Sequence, residues 1–193
     1  MQYLKNDVRE KILKAAIAEF KENGYANASI RNIAVNAHIS LGNIYRYFTN
    51  KEALYCAVVE PLMEEIVRKI DSEFEHGNVE AKDVSDATVD FIWENRDIAK
   101  ILIDGAEGTR YVNFREDACT KMEQILNERF QKECGQEVDH ELVHILVQMK
   151  FQGYCELLRG NCSREKLLEI SRILQICSSQ CLLAIEAELN RKH

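Results

Sequence analysis

Residues 40 to 51 read SLGNIYRYFTNK, and their side chains suit one kind of chemistry, directional hydrogen bonding to flat base edges and to phosphate oxygens. Asn43 can pair with a base edge, and Arg46 can bond guanine through a bidentate fork. Gly42 permits close approach of backbone to a partner. Tyr47 and Lys51 can reach phosphate oxygens, as can Ser29 a short way upstream, and Lys51 gains from the amide groups at the start of the next helix. Arg31 lies near the same groove. No phosphate loop, nucleophile elbow or catalytic triad context accompanies these residues, so nothing positive supports an enzyme.

Such groups work only if a frame presents them together. Ser40 is a helix cap, and Leu41, Ile44 and Phe48 follow at i, i+3 and i+7, which predicts a short helix from Leu41 to about Phe48 with those three packed inward. Gly42, Asn43, Arg46 and Tyr47 then point outward, and Tyr45 sits at the edge. Upstream, the capping box of Asp7 and Glu10 opens a first helix that ends at Asn23-Gly24. Ser29 opens a second, running to about Ala37. His38-Ile39-Ser40 leaves room only for a tight turn. Three helices with this turn match a helix-turn-helix whose third helix enters a major groove, although a plain trihelical packing motif has the same outline. Thr49 with Glu52 forms a capping box for a fourth helix.

Charge is distributed in keeping with that division. The 193 residues carry a net charge of -7, yet residues 1 to 51 hold eight Lys or Arg against four Asp or Glu, and the remaining 142 hold 17 against 28. A polyanion meeting the first segment feels mainly its local field, because screening acts over roughly 8 Å at physiological salt. One Pro and eight Gly leave helices as the default, so the class is all-α. The amino terminus lacks the phases of a signal peptide, and no long apolar run suggests a membrane span, so a cytoplasmic protein is expected. Seven scattered cysteines without a CxxC read as reduced thiols.

The division places a helix-turn-helix DNA-binding domain at residues 1–50, with the start of the next helix to about residue 65, and a larger helical domain at residues 66–193. Pro61 falls inside the fourth helix, where a kink is expected. His76-Gly77-Asn78 ends it. Further helices are predicted near residues 83–95, 97–104, 110–133, 140–159 and 164–190. The last two are apolar on more than one side. Leu142, Ile145, Met149 and Gly153 form one line and Val143, Val147, Tyr154 and Leu158 another. In the final helix, Leu167, Ile170, Leu174, Cys177, Cys181 and Ile185 make a stripe that Ile173, Ile176 and Leu183 widen. Two such antiparallel helices can meet a symmetry copy as a four-helix interface, and a homodimer is expected. Phe91, Trp93, Tyr111, Phe114 and Met122 are candidates to line a ligand cavity, though at helical spacing they also read as core. His140 and His144, near Glu137 and Glu141, have metal-ligand spacing without a third ligand, and read as a solvated helix start. Cys177 and Cys181 read as small core residues. Neither a metal nor a cofactor is expected.

Residues 8 to 54, VREKILKAAIAEFKENGYANASIRNIAVNAHISLGNIYRYFTNKEAL, resemble the TetR family of bacterial transcriptional regulators. The carrying pattern is Phe-x-x-x-Gly-Tyr, a hydroxyl residue before Ile-x-x-Ile-Ala, and Ser-x-Gly-x-Ile-Tyr-x-Tyr-Phe-x-x-Lys-Glu-x-Leu. The resemblance implies a homodimeric repressor that binds an operator and is released by an unknown small-molecule effector. It also implies that residues 66–193 are an effector-binding and dimerisation domain, with the last two helices as the dimer interface. Arg31, Asn43, Tyr45 and Arg46 are then base readers, and Ser29, Tyr47 and Lys51 phosphate contacts. Ser40, Leu41 and Gly42 complete the DNA-facing set, with any contact at Leu41 and Gly42 apolar or through backbone. Ser29 replaces the family's commoner threonine and Tyr47 its commoner histidine. The alternative is a DNA-binding protein of the same fold that acts with a protein partner and no effector.

Overall fold

The computed structural model describes residues 2–75, 86–135, 138–160 and 162–191. Every regular element among them is a helix: α1 (Gln2–Asn27), α2 (Ile30–Asn36), α3 (Leu41–Tyr47), α4 (Lys51–Glu75), α5 (Asp86–Glu94), α6 (Arg96–Asp104), α7 (Phe114–Cys134), α8 (His140–Arg159) and α9 (Arg164–Arg191). The all-α class stands. His76-Gly77-Asn78, the first residues of the segment at 83–95, Glu137 and Asn161 lie outside the described residues.

Two compact units divide the chain, one of Met1–Val67 with Asn95–Phe114 and one of Arg68–Glu94 with Arg115–His193. The first therefore takes in α6, which the division at residue 65 assigns to the carboxy-terminal helices. Local pairing explains the difference. The Tyr25 amide donates to the Gly105 carbonyl at 2.9 Å, and Lys21 pairs with Asp97 at 2.8 Å. At Gly105 an added Cβ would lie 3.0 Å from the Ile101 carbonyl oxygen and 3.4 Å from the Gly24 Cα, so backbone meets backbone with no room for a side chain.

Ile12, Phe20, Ile33, Ile44, Leu54, Tyr55, Ile101 and Leu102 fill the first core and are almost wholly buried. Edge-on contacts of the Tyr55 ring with Phe20 and Tyr25, each at 5.2 Å, add to that burial. The Tyr55 hydroxyl donates to the Ile101 carbonyl at 3.3 Å, so the buried oxygen is satisfied, and burial pushes its pKa far above the ordinary tyrosine value.

Several boundaries move from their expected places. Helix α1 starts at Gln2, so Asp7 and Glu10 lie within it and cap nothing. Its helical path does end at Gly24, whose φ of 65° with ψ of 170° belongs to the region open to glycine. Asn50, not Thr49, caps α4: its Oδ1 accepts from the Ala53 amide at 2.7 Å. Adjacent residues competed for one cap, and asparagine outranks threonine there. Helix α4 continues through Pro61, which is exposed.

In the second unit, Cys119, Phe130, Val138, Val143, Val147 and Ile185 form a core on which Met122, Leu126, Leu146, Phe151 and Leu182 pack. Asp90 on α5 pairs with Arg164 on α9 at 2.5 Å. Helix α8 buries its Val143 line, and Leu142, Ile145 and Met149 face outward. Gly153 admits a methyl of Leu174, which would stand 3.4 Å from a Cβ placed there. On α9, Leu167, Ser171 and Ile185 face the core, while Ile173, Ile176 and Leu183 are exposed. Cys177 and Cys181 are exposed too, a correction to their reading as core residues: among the described residues their side of α9 is left uncovered.

Candidate nucleic-acid interface

Glu19 governs where α2 begins. Buried on α1, its Oε1 accepts from the Ser29 amide at 2.9 Å and from the Asn32 side chain at 3.3 Å, which aligns the first turn of α2 on α1. Ser29 in turn caps α2 by accepting from the Asn32 amide at 3.4 Å. Arg31 then projects from that first turn and is exposed.

The turn to α3 contains no glycine. His38 takes a φ of 56°, the Ile39 amide donates to the Ala34 carbonyl at 3.0 Å, and the His38 amide donates to the Val35 carbonyl at 3.0 Å. This is a Schellman ending with histidine where glycine is usual, at a steric cost of about 1–2 kcal/mol. The Ser40 hydroxyl then caps α3 by accepting from the Asn43 amide at 3.2 Å.

Helix α3 is held down by Ile44 and by Phe48, its carboxy-terminal cap, with Leu41 half-buried beside them. Gly42, Tyr45 and Arg46 are exposed, Asn43 and Tyr47 are half-buried, and Tyr45 shows 49% of its surface. Tyr45 is thus more open than an edge position. A Cβ added at Gly42 would meet nothing within 4 Å, so no protein neighbour requires glycine there. Ser29, Arg31, Ser40, Leu41, Gly42, Asn43, Tyr45, Arg46 and Tyr47 all lie on the α2 to α3 segment of the first unit.

The Lys51 ammonium donates to the carbonyls of Tyr25, Ala26 and Ala28 at 2.7, 3.2 and 3.2 Å and lies 4.5 Å from the centre of the Tyr25 ring. An ammonium has three hydrogens, and three carbonyls take them. These bonds clasp the end of α1 to the start of α4. No local signal in the sequence joins residues 51 and 25, whereas Glu19 and Asn50 carry the marks of cap-forming residues.

The ligand candidates do not gather in one unit. Tyr111 and Phe114 belong to the first, and Phe91, Trp93 and Met122 to the second. Tyr111 is engaged: Arg110 donates to its hydroxyl at 3.0 Å, and that hydroxyl donates to Glu60 at 3.2 Å, with Arg110 also paired to Glu60. Met122 packs on the second core. At the start of α8, His144 Nδ1 meets Glu123 Oε1 at 2.7 Å and stacks near His140. Among the described residues no three His, Cys, Asp or Glu side chains converge as a metal site, and no helix is long and apolar enough to cross a membrane.

A capped short helix after a tight turn, presenting amide, guanidinium and phenol groups from a closed core, is the geometry of a helix-turn-helix. Residues 12–58 match the family described as bacterial regulatory proteins, tetR family. That match covers the amino-terminal helix-turn-helix segment of the chain. It is 31% identical over 87 residues to the HTH-type nicotine-responsive transcriptional repressor HdnoR of Paenarthrobacter nicotinovorans, covering 45% of this chain and 44% of that protein. It is 41% identical over 59 residues to the HTH-type transcriptional regulator UidR of Escherichia coli, covering 31% and 30%. The chain thus spans less than half the length of these curated relatives. Similarity of fold runs further. A transcriptional regulator from Aquifex aeolicus aligns over 86% of this chain and 95% of its own, with a TM-score of 0.57 at 22% identity. The regulator FadR of Bacillus subtilis, solved with stearoyl-CoA, aligns over 91% and 96%, with a TM-score of 0.55 at 20% identity.

Proposed function

We propose that this protein is a sequence-specific DNA-binding regulator of the cytoplasm that grips an operator as a homodimer, represses from it, and is released by a small-molecule effector. One observation carries the DNA-binding reading: α3 is anchored by Ile44 and Phe48 and leaves Tyr45 and Arg46 exposed on one side, with Asn43 and Tyr47 half-open beside them. Asn43, Tyr45, Arg46 and Arg31 read base edges or thymine methyls, and Ser29, Ser40 and Tyr47 bind phosphate, with Leu41 and Gly42 lying against the groove. Lys51 positions α3 indirectly, by holding α1 to α4. Two copies place their α3 helices about 34–36 Å apart, one turn of the duplex.

The dimer reading rests on the outward apolar residues of α8 and α9. Release by an effector draws on two relatives, one described as nicotine-responsive and one solved with stearoyl-CoA. An effector that prefers the conformation with mis-spaced α3 helices weakens operator binding by its difference in affinity for the two states.

Gel shifts across fragments of the source genome test the DNA reading. Arg46→Ala is expected to cost about 1–3 kcal/mol at the preferred fragment and to relax discrimination at one base position. Undiminished selectivity in Arg46→Ala and Asn43→Ala together would sink it.

A further inference from the structure

The arginines of this protein fall into two groups. Arg110 pairs with Glu60, Arg115 with Gln152, Arg159 with Glu156, Arg164 with Asp90 and Arg191 with Glu188. Arg68, Arg96 and Arg172 are engaged as well. Of the arginines whose side chains are described, Arg9, Arg31 and Arg46 have no hydrogen bond or ion pair among the described residues, and all three lie in the helix-turn-helix segment. Arg31 and Arg46 already have a place at the groove. Arg9 does not.

Its position is nonetheless defined. The Arg9 guanidinium stands 5.7 Å from the centre of the Phe48 ring, and Phe48 is the residue that ends α3, directly after Tyr47. An exposed arginine on an aromatic face keeps its N–H groups for another partner, because the contact uses the flat face of the guanidinium and leaves its edge open. Asp7 and Glu10 are near in sequence and exposed, but at two and one positions away on a helix they do not face Arg9. With the ammonium of Lys51 taken by carbonyls, Arg9 is a cation set against the residue that ends α3.

We propose that Arg9 binds a backbone phosphate of duplex DNA from the edge of the helix-turn-helix, held in place on the Phe48 ring. The inference rests on the DNA-binding reading above. Planar guanidinium and phosphate match in a two-point hydrogen bond, and the contact carries no sequence information.

Salt titration of binding to sheared mixed-sequence duplex DNA tests it, since each neutralised phosphate contributes about 0.9 to the slope of log affinity against log salt. Arg9→Gln is expected to lower the magnitude of that slope by about 0.9 per bound protomer, and Arg9→Lys to restore most of it. Lys51→Met serves as the contrast: it lowers the melting temperature and leaves the slope near the parent value. A parent-like slope in Arg9→Gln, even with a lowered melting temperature, would overturn the assignment and leave Arg9 a packing residue. A parent chain with no salt-dependent affinity for DNA would remove the DNA-binding reading first, and this assignment with it.

Discussion

The two units close their cores to different degrees. In the first, the large apolar residues of α1, α3, α4 and α6 turn inward, and Ile12, Ile33, Ile44, Leu54 and Tyr55 are fully enclosed. In the second, Val143, Val147, Leu167 and Ile185 are enclosed, yet Met149 shows 66% of its surface and Ile145, Ile173 and Ile176 more than half of theirs. Exposed apolar residues in such a row along two packed helices are the mark of an association surface. The contrast teaches that the first unit encloses most of its large apolar residues, with Val35 and Val112 among the exceptions, while the second leaves a row of them exposed along α8 and α9.

The largest effect is expected inside the closed core. Phe20→Ala should cost the first unit about 3–5 kcal/mol, read as a lowered denaturation midpoint with loss of DNA binding. A loss below about 1 kcal/mol would mean that this core is less closed than its burial indicates. Next comes the open face. Ile145→Asp with Ile176→Asp should leave helical circular dichroism near the parent's, since exposed substitutions cost about 0.5 kcal/mol or less in a protomer, and should convert a dimer to a monomer by sedimentation. A double variant that still sediments as a dimer would place the association surface elsewhere.

The smallest effect concerns the α5 to α9 tie. The hydrogen bond from Arg164 holds the Asp90 carboxyl below its ordinary pKa. A folded-state pKa below the unfolded one stabilises above the unfolded value of about 4 and is lost as pH falls through the folded value. Asp90→Asn should therefore show a shallower fall in melting temperature below about pH 4 than the parent. The difference is modest because the pair is only half-buried and solvent screens it. Parallel curves would show that the tie does not sharpen the second unit's stability.

Much of the helix-turn-helix was legible because its determinants are local. Ser29 and Ser40 cap within three residues of themselves, and Ile44 and Phe48 declare the inward face of α3 by spacing. The turn was legible as a length but not as a shape, since histidine at a left-handed position follows from the bonds of Ala34 and Val35 and not from its own preference. The Lys51 clasp is not legible in the sequence, because its partners lie more than twenty residues away. Cys177 and Cys181 show the limit of periodicity: a stripe marks an apolar face, but which side meets its own chain depends on the neighbouring helices.

The meeting of Gly24 and Gly105 has a mechanical consequence. Where the end of α6 meets the break in α1, two glycines face each other without side chains, and the Tyr25 amide bonds the Gly105 carbonyl directly. A small shift of the α6 end would reach Tyr25 undamped, and from there the carbonyls that Lys51 holds. The joint acts as a rigid coupling, and even a methyl group inserted there would change its setting.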